Sequence, residues 1–541
     1  MQSSEEETIE VMIWLEDINT SQAVLSSTES ILSAAKATLY PRALCENPET
    51  VAEIYSRYMD ARKEKMREHY EAYTKRFVDF GLTNNEVVYC SKYSPMVIAE
   101  LSLDRIIEVS LASQVCRIEY NDGSIHKIES IDNGNQSRSW EYHTMSELKQ
   151  NLGINALTTY TNNHGDGVKV GFIDVGYPNI DEEIFSDTNI FIRYEEDRLT
   201  DTEDGSHPTL VLEILYAIAP DADFYYTTSY RNGLLNTTLY SEIEWFILNN
   251  VDVVNCSMNI TAANGINDGF NNYGAVSQYL DYVTSNYDFL FLKSAGNSGK
   301  NGITSGGMAN NIITVGNYNQ STHLIDPGSS YYNNNLLVNK PDVCVRGFVD
   351  LQTTGEISAT SCAAPIVSGI AALIYGAENG LVSALEVKAI ICASTDAHRY
   401  AVNNTNYRKY GAGEVDAWNI REILQMNSYS SDYFSPAETS HTYTFVFDDI
   451  DERLVDLVLT FERNVREEDE VFDSADIDIE LYDFEGNIVA QSTTPNNNVE
   501  ILRDVPCSDE PYTLVIIQYE LALYGDEESS TKYALSWCYK E

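Results

Sequence analysis

From Val168 onward the chain alternates near-continuous apolar runs with segments of helix length, and that rhythm restricts the fold more than any other feature. Val168–Ile173 (VKVGFI) reads as a strand ending in Asp174. His207–Ile218 reads as a helix closed by Ala219-Pro220, Ala222–Thr227 as a strand, and Leu239–Leu248 as a helix. Val251–Cys256 and Phe289–Lys293 are further strands, separated by a helix at Ala275–Asn286, and Asn311–Val315 is another strand. Strands this apolar, separated by helices, belong to a parallel sheet covered on both faces, an α/β arrangement. Ligand chemistry then gathers at the carboxyl ends of the strands. Asp174 stands at one such end and the turn Ser294-Ala295-Gly296-Asn297 at another.

The flanks follow different rules. In residues 1–130, Thr8–Leu15 reads as a strand, and Tyr55–Gly81 as a long helix with Met59, Met66, Tyr70, Tyr73 and Phe77 on one face and Gly81 as its cap. Glu86–Tyr89, Met96–Leu101 and Gln114–Tyr120 read as strands, with a helix at Leu103–Leu111. The order β-α-β-β-α-β implies a small α+β unit. His69 falls on a charged helix face and is expected to be structural. Asn121–Asn151 is polar and rich in turn residues, so it reads as an exposed linker open to proteolysis. Residues 436–541 hold short, often alternating runs between Asp, Glu, Asn and Gly turns, the pattern of an antiparallel β-sandwich. The expected division is 1–130, a linker at 131–150, an α/β unit at 151–430 and a sandwich at 436–541.

One helix carries a hydroxyl where chemistry needs one. Ala359-Thr360-Ser361-Cys362-Ala363-Ala364-Pro365 follows an extended segment and opens a helical run, Ser361–Tyr375, dense in Ala, Gly and Ser. Pro365 is tolerated because a first helical turn has no intrahelical N–H bonds to lose. Ser361 therefore sits at the positive end of a helix dipole beside an open backbone N–H. That is the setting of a nucleophile with an oxyanion donor at hand, and equally of an ordinary helix cap. A serine nucleophile needs a base, for which His207 qualifies at neutral pH, and the histidine needs a carboxylate, for which Asp174 qualifies. Asn297 offers an amide to the developing charge. Each residue alone is weak; their joint presence at strand ends and helix starts of one sheet is the argument.

The net charge of −49, from 83 acidic and 34 basic residues, excludes nucleic-acid and anionic-membrane binding as primary functions. No apolar run is expected to reach the length of a membrane span. None of the nine cysteines has CxxC spacing. Cys256 and Cys392 read as buried thiols, Cys507 and Cys538 are candidates to pair, and an odd total leaves at least one thiol free. The start, Met-Gln-Ser-Ser-Glu-Glu-Glu, has no signal-peptide character.

These residues resemble the subtilase family of serine peptidases. Val168–Gly176 resembles its Asp motif, Gly205–Leu212 its His motif followed by Ala219-Pro220-Asp221-Ala222, and Val251–Met258 the strand lining its substrate cleft. Ser294–Gly299 resembles its oxyanion Asn motif, Lys340-Pro341-Asp342-Val343 and Ala359–Pro365 its Ser motif and approach, and Gly411–Ala417 its closing segment. The resemblance covers about residues 150–425. It implies a subtilisin-like three-layer fold and an endopeptidase in which Asp174 orients His207, Ser361 attacks, and Asn297 with the Ser361 N–H holds the oxyanion. Ser257, Met258 and Asn259 would pair with an extended substrate strand, and Ser294, Ala295 and Gly296 would form the other wall. The sequence departs from the family at Pro208, Leu210, Asn259, Ala359 and Cys362; Asn259, in place of glycine, would narrow or polarise the pocket.

Residues 1–130 resemble a subtilase propeptide, and residues 436–541 a prepeptidase-type C-terminal domain of secreted bacterial proteases. Together they imply a zymogen that is secreted, its signal lying outside these residues. It would be cut between about Tyr120 and Leu148, inhibited by its own propeptide, act on protein or peptide substrates and work as a monomer without membrane insertion. No cofactor is required; a structural calcium ion, which relatives often bind, has no identifiable position here. The competing readings are a catalytically silent binding or adhesion protein on the same fold and a calcium-dependent structural protein.

Overall fold

The computed structural model describes residues 8–16, 48–74, 76–120, 124–127, 141–198, 205–228, 236–262, 270–322, 324–332, 340–396, 407–435, 437–447, 453–463, 466–468, 471–473, 475–520 and 530–540. The N-terminal unit comprises β1 (Thr8–Leu15), α1 (Pro48–Tyr73), β2 (Val87–Cys90), β3 (Met96–Ser102), α2 (Leu103–Ser110) and β4 (Val115–Tyr120). Its antiparallel sheet runs β2-β3-β1-β4. Helix α1 starts earlier than the pattern implies and ends at Tyr73; a 3₁₀ turn, Arg76–Phe80, leads to Gly81 at φ 83°.

Strand alternation divides this sheet's labour. Val11, Ile13, Leu15, Val97, Ala99 and Leu101 join Phe77 and Phe80 in a core of the unit's own. Met12, Met96 and Ile98 point the other way and enter a cluster shared with the α/β unit. His69 is fully buried, and its Nδ1 meets the Tyr287 hydroxyl. The expectation of a charged face is corrected here: this side of α1 is an interface.

The described parts of Asn121–Asn151 carry more regular structure than their polarity implies. Its described parts contain β5 (Ser124–Lys127), β6 (His143–Thr144) and α3 (Met145–Asn151). Thr144 and Glu147 form a capping box at the start of α3, with Thr144 N–H donating to Glu147 Oε2 at 2.9 Å. Leu148 is fully buried. One apolar residue per turn suffices for a helix lying on a large core, which is why composition concealed it. Most of the expected processing window lies outside the described residues.

The α/β unit continues through α4 (Ile154–Thr161), β7 (Lys169–Asp174), β8 (Ile190–Ile192), α5 (Ser206–Ile218), β9 (Asp223–Thr228), α6 (Asn236–Leu248), β10 (Val253–Cys256), β11 (Asn259–Ala262) and α7 (Ala275–Tyr287). Next come β12 (Leu290–Ser294), β13 (Ile313–Asn319), β14 (Leu324–Ile325), β15 (Val343–Arg346), β16 (Phe348–Leu351), β17 (Gly355–Ser358), α8 (Thr360–Ala377), α9 (Ala384–Ala393) and α10 (Ala417–Met426). The main sheet runs β14-β13-β12-β10-β7-β9-β8, with β15 also paired to β13, and only β14 is antiparallel. Val170, Phe172, Val253, Leu290 and Leu292 face α5 and α8. Ile173, Val254, Cys256, Phe289 and Phe291 face α6 and α7. This two-faced burial explains why the strands read as continuous apolar runs.

Helix α8 is long and apolar enough to cross a membrane by length and composition, contrary to expectation, and 94% of it is buried within the protein. It crosses α5 closely: a Cβ on Gly369 would lie 2.8 Å from Ile218 Cβ. The approach to Ser361 is anchored by Asp342, which accepts from Lys340 Nζ at 2.6 Å and from the Thr314 N–H at 2.7 Å, with Lys388 Nζ at 3.3 Å.

The C-terminal strands are β18 (Tyr429–Phe434), β19 (Ser440–Phe447), β20 (Leu454–Phe461), β21 (Asp476–Tyr482), β22 (Ile488–Ser492), β23 (Val499–Pro506), β24 (Ser508–Glu520) and β25 (Thr531–Lys540). They form two sheets, β18-β25-β20-β23 and β19-β24-β21-β22. Leu457, Leu459 and Phe461 fill the space between the sheets, while Val458 and Cys538 point outward into the core of the α/β unit. Cys507 packs instead against the sandwich interior. The suggested Cys507–Cys538 pairing is therefore wrong: the two thiols face different cores, and every described cysteine is free.

Candidate active site

Asp174 ends β7 and is fully buried. Its carboxylate accepts from the Val175 N–H at 2.8 Å and contacts His207 Nδ1 through both oxygens, at 2.9 and 2.8 Å. His207 is the second residue of α5 and is 2% exposed. Gly205 immediately precedes that helix because a Cβ there would fall 2.1 Å from the Tyr177 carbonyl oxygen. Pro208 occupies the first turn, where no intrahelical N–H bond is lost. Leu210, at the position of the family's second histidine, fills the core instead.

Ser361 is the second residue of α8. Ala359 is the N-cap and offers no side-chain bond, so Ser361 does not cap this helix. Its hydroxyl donates to the Ser257 carbonyl oxygen at 3.0 Å. Ala359 sits at φ −165°, extended backbone that any residue adopts, so the missing glycine costs nothing. Cys362, next to Ser361, is fully buried, and burial pushes its thiol up to about 12, which keeps it a neutral core residue.

Asn297 lies beyond the carboxyl end of β12. Its Oδ1 accepts from the Thr360 N–H at 3.0 Å and the Thr360 hydroxyl at 2.9 Å. With the oxygen held this way, the amide nitrogen is buried and without an acceptor among the described residues. The Ser361 N–H lies in the first turn of α8, where the helix itself supplies no acceptor. Two donors at the start of α8 are thus available to an oxyanion.

Sequence reasoning missed the supports behind these groups. Ser368, two turns further along α8, donates to Asn255 Oδ1 at 3.1 Å; Asn255 Nδ2 donates to Ser257 Oγ at 2.9 Å; Ser257 Oγ donates to the Ser361 carbonyl at 3.2 Å. This buried chain ties β10 to α8 and sets the height of Ser361. Thr360, besides holding Asn297, accepts from the Gly296 N–H at 3.3 Å. Only the asparagine within Val-Val-Asn-Cys, a polar residue in an apolar strand, hinted at this network.

Of the expected wall residues, Ser257 and Met258 bridge β10 and β11, and Asn259 opens β11; the side chain of Asn259 lies outside the described residues. Strand β11 pairs with β5 in antiparallel register, Asn259↔Lys127 to Ala262↔Ser124. Opposite it are Ser294, Ala295 and Gly296, all buried, with Gly296 at φ 104°. The two walls are joined by Lys293, fully buried, whose Nζ donates to the Met258 carbonyl at 2.6 Å, the Ser294 carbonyl at 3.2 Å and Thr304 Oγ1 at 3.4 Å. Among the described residues no group of three or more His, Cys, Asp or Glu side chains is arranged to hold a metal ion.

The family model described as the subtilase family matches residues 165–413. A thermostable alkaline protease of Halalkalibacterium halodurans is 24% identical over 218 residues, 39% of this chain and 57% of that protein, so the match spans little more than half of the relative. Among solved structures, fervidolysin from Fervidobacterium pennivorans aligns over 94% of this chain and 70% of its own, at 12% identity and TM-score 0.47. The epidermin leader peptide processing serine protease of Staphylococcus aureus aligns over 62% and 93%, at 16% identity and TM-score 0.44. Residues 165–413 therefore carry a subtilase domain, the domain of subtilisin-like serine peptidases.

Proposed function

We propose that the chain is a secreted serine endopeptidase made as a self-processing zymogen. The observation that carries this is the buried Asp174–His207 pair at the sheet end that also meets the first turn of α8. Asp174 holds His207 with Nδ1 as donor, which leaves Nε2 as the base. The Ser361 hydroxyl turns from the Ser257 carbonyl toward His207 and yields its proton to Nε2 as its oxygen bonds to the scissile carbonyl carbon. The carbonyl electrons move onto oxygen, which Asn297 Nδ2 and the Ser361 N–H stabilise. On collapse the C–N bond breaks, and the proton on Nε2 goes to the departing amine. Water then repeats the sequence and frees the acyl group from Ser361. The chemistry uses no cofactor, and the substrates are proteins or peptides.

The zymogen reading is supported by β5. An extended segment of the chain's own N-terminal part lies against β11 in the antiparallel manner a substrate strand would adopt. Glu244 of α6 fastens the same unit, accepting from Ser91 Oγ at 2.6 Å and the Lys92 N–H at 2.9 Å. The N-terminal unit therefore acts as an inhibitor in cis, and cleavage is expected C-terminal to Lys127. Secretion rests on the resemblance of the two flanking units to those of exported proteases, and a monomer is expected. Intact masses of wild type and Ser361→Ala test the proposal. The wild type should divide into two pieces between about residues 120 and 148 while the variant stays whole. If both stay whole and the wild type hydrolyses no peptide, the proposal is wrong.

A further inference from the structure

We propose that the C-terminal sandwich takes part in holding substrate. Asn498 is a positioning residue that fixes the bend Asn310-Asn311, and through that bend it sets one wall of the cleft. The inference rests on the endopeptidase reading and adds a second unit of the chain to its substrate site.

Asn310 and Asn311 close the segment that begins with Ser294, Ala295 and Gly296 and returns to the sheet at β13. Three parts of the molecule grip them. From α7, the Asp281 carboxylate accepts from the Asn310 N–H at 2.9 Å, from Asn310 Nδ2 at 3.1 Å and from the Asn311 N–H at 2.7 Å. From α9, Lys388 Nζ donates to the Asn310 carbonyl at 2.6 Å. The sandwich supplies the rest. Asn498 Nδ2 donates to the same Asn310 carbonyl at 2.8 Å, and the Arg463 backbone N–H donates to Asn311 Oδ1 at 2.8 Å. Asn498 is buried, and its Nδ2 also donates to the Phe461 carbonyl at 3.0 Å, so its own unit fixes the amide that reaches across.

The bend is connected to the wall by packing. Met308, just before it in the chain, shares a buried cluster with Ile303 and with Ala295, a wall residue. A close-packed cluster passes on a displacement instead of absorbing it. The other end of the segment is pinned separately: Thr360 bonds Asn297 Oδ1 and accepts from the Gly296 N–H. The oxyanion donor is thus set from α8, and the backing of the wall from the sandwich. Removing the Asn498 amide leaves the Asn310 carbonyl still bonded to Lys388. No buried carbonyl is orphaned, so the bend is drawn toward α9 and does not unfold. Substrate holding and oxyanion stabilisation should therefore separate in the kinetics.

The test is steady-state kinetics of the full chain, after processing, on one synthetic peptide anilide, with active-site titration to count working enzyme. Asn498→Ala should raise KM about tenfold, the scale of one altered pocket contact, while kcat stays within about twofold. Asn498→Asp keeps the volume but loses both donated bonds, and should raise KM at least as far. Thr460→Val is the control. Thr460 Oγ1 donates to the Leu385 carbonyl of α9 at 3.1 Å across the same interface, in a bond that does not involve Asn310 or Asn311. That variant should lower the thermal midpoint and leave KM unchanged. If Asn498→Ala does not fold, Asn498→Ser, which keeps a small polar side chain there, is read in the same way. An active wild type whose KM is unmoved by the Asn498 variants, or moved equally by Thr460→Val, overturns the proposal and leaves the peptidase reading standing. A wild type that hydrolyses no peptide overturns both.

Discussion

Asn297 shows how little of a residue's role lies in its own identity. Its amide is poised because Thr360 occupies the oxygen and leaves the nitrogen without an acceptor. Asn297→Ala should therefore lower kcat by roughly 10²–10³ with little change in KM, a range drawn from a subtilisin itself; steady-state kinetics on one good peptide checks it. His69 makes a second residue-level prediction. Burial pushes its imidazole down to about 3, with the nearby Lys65 charge in the same direction, and the Tyr73 ring and Tyr287 hydroxyl close around it. A released His69 would titrate near the ordinary value of about 6.5. The docked state thus favours the neutral form. The stabilisation is complete above about 6.5 and is lost progressively as pH falls toward about 3. The thermal midpoint of uncut Ser361→Ala should fall across that interval, and His69→Gln should flatten the fall.

Elements set the distances between these residues. His207 and Ser361 ride on the first turns of α5 and α8, and those helices touch where Gly369 meets Ile218. The small-residue density of α8 is explained by this crossing. Gly369→Ala would force Cβ to within 2.8 Å of Ile218 and should destabilise the protein by about 1–3 kcal/mol, as overpacked cores do. A thermal melt measures the loss, and kcat should fall with it because the two helices carry the proposed base and nucleophile, His207 and Ser361. Strands and helices of the α/β unit were legible from periodicity, and the Asp, His, Asn and Ser motifs from their places at element ends. The pairing of Ser368 with Asn255 was not, because it joins residues 113 positions apart. Lys293 was missed for a similar reason: in sequence it is one polar residue closing an apolar strand. Helix α3 escaped notice because its polar composition outweighed a capping box that was present in plain view.

At the scale of the molecule, three units share two cores. The N-terminal sheet sends Met12, Met96 and Ile98 into the cluster of α6 and α7. The sandwich sends Val458 and Cys538 into the cluster of α8 and α9. Lys540 Nζ, itself buried, donates to the Ala393 and Thr395 carbonyls at 3.0 Å each. The sandwich is therefore part of the folded protein and not a loosely tethered module. A chain ending at residue 428 should lose soluble yield and thermal stability, because the apolar face of α9 is left uncovered. Solubility and melting of that truncation, beside the full chain, check this. A truncation as stable as the full chain would show that the contact contributes little.

The sequence by itself determined the element types, the layered α/β core, the sandwich pattern and the four chemical groups, because those follow from local periodicity and from residue types at element boundaries. Only the tertiary structure decided that β5 lies on β11, that Asn297 turns its nitrogen free, that Cys507 and Cys538 look into different cores, and that a lysine spans the cleft. Each of those depends on which surfaces meet across long separations in the chain, and burial and hydrogen-bond satisfaction decide them for the molecule as a whole.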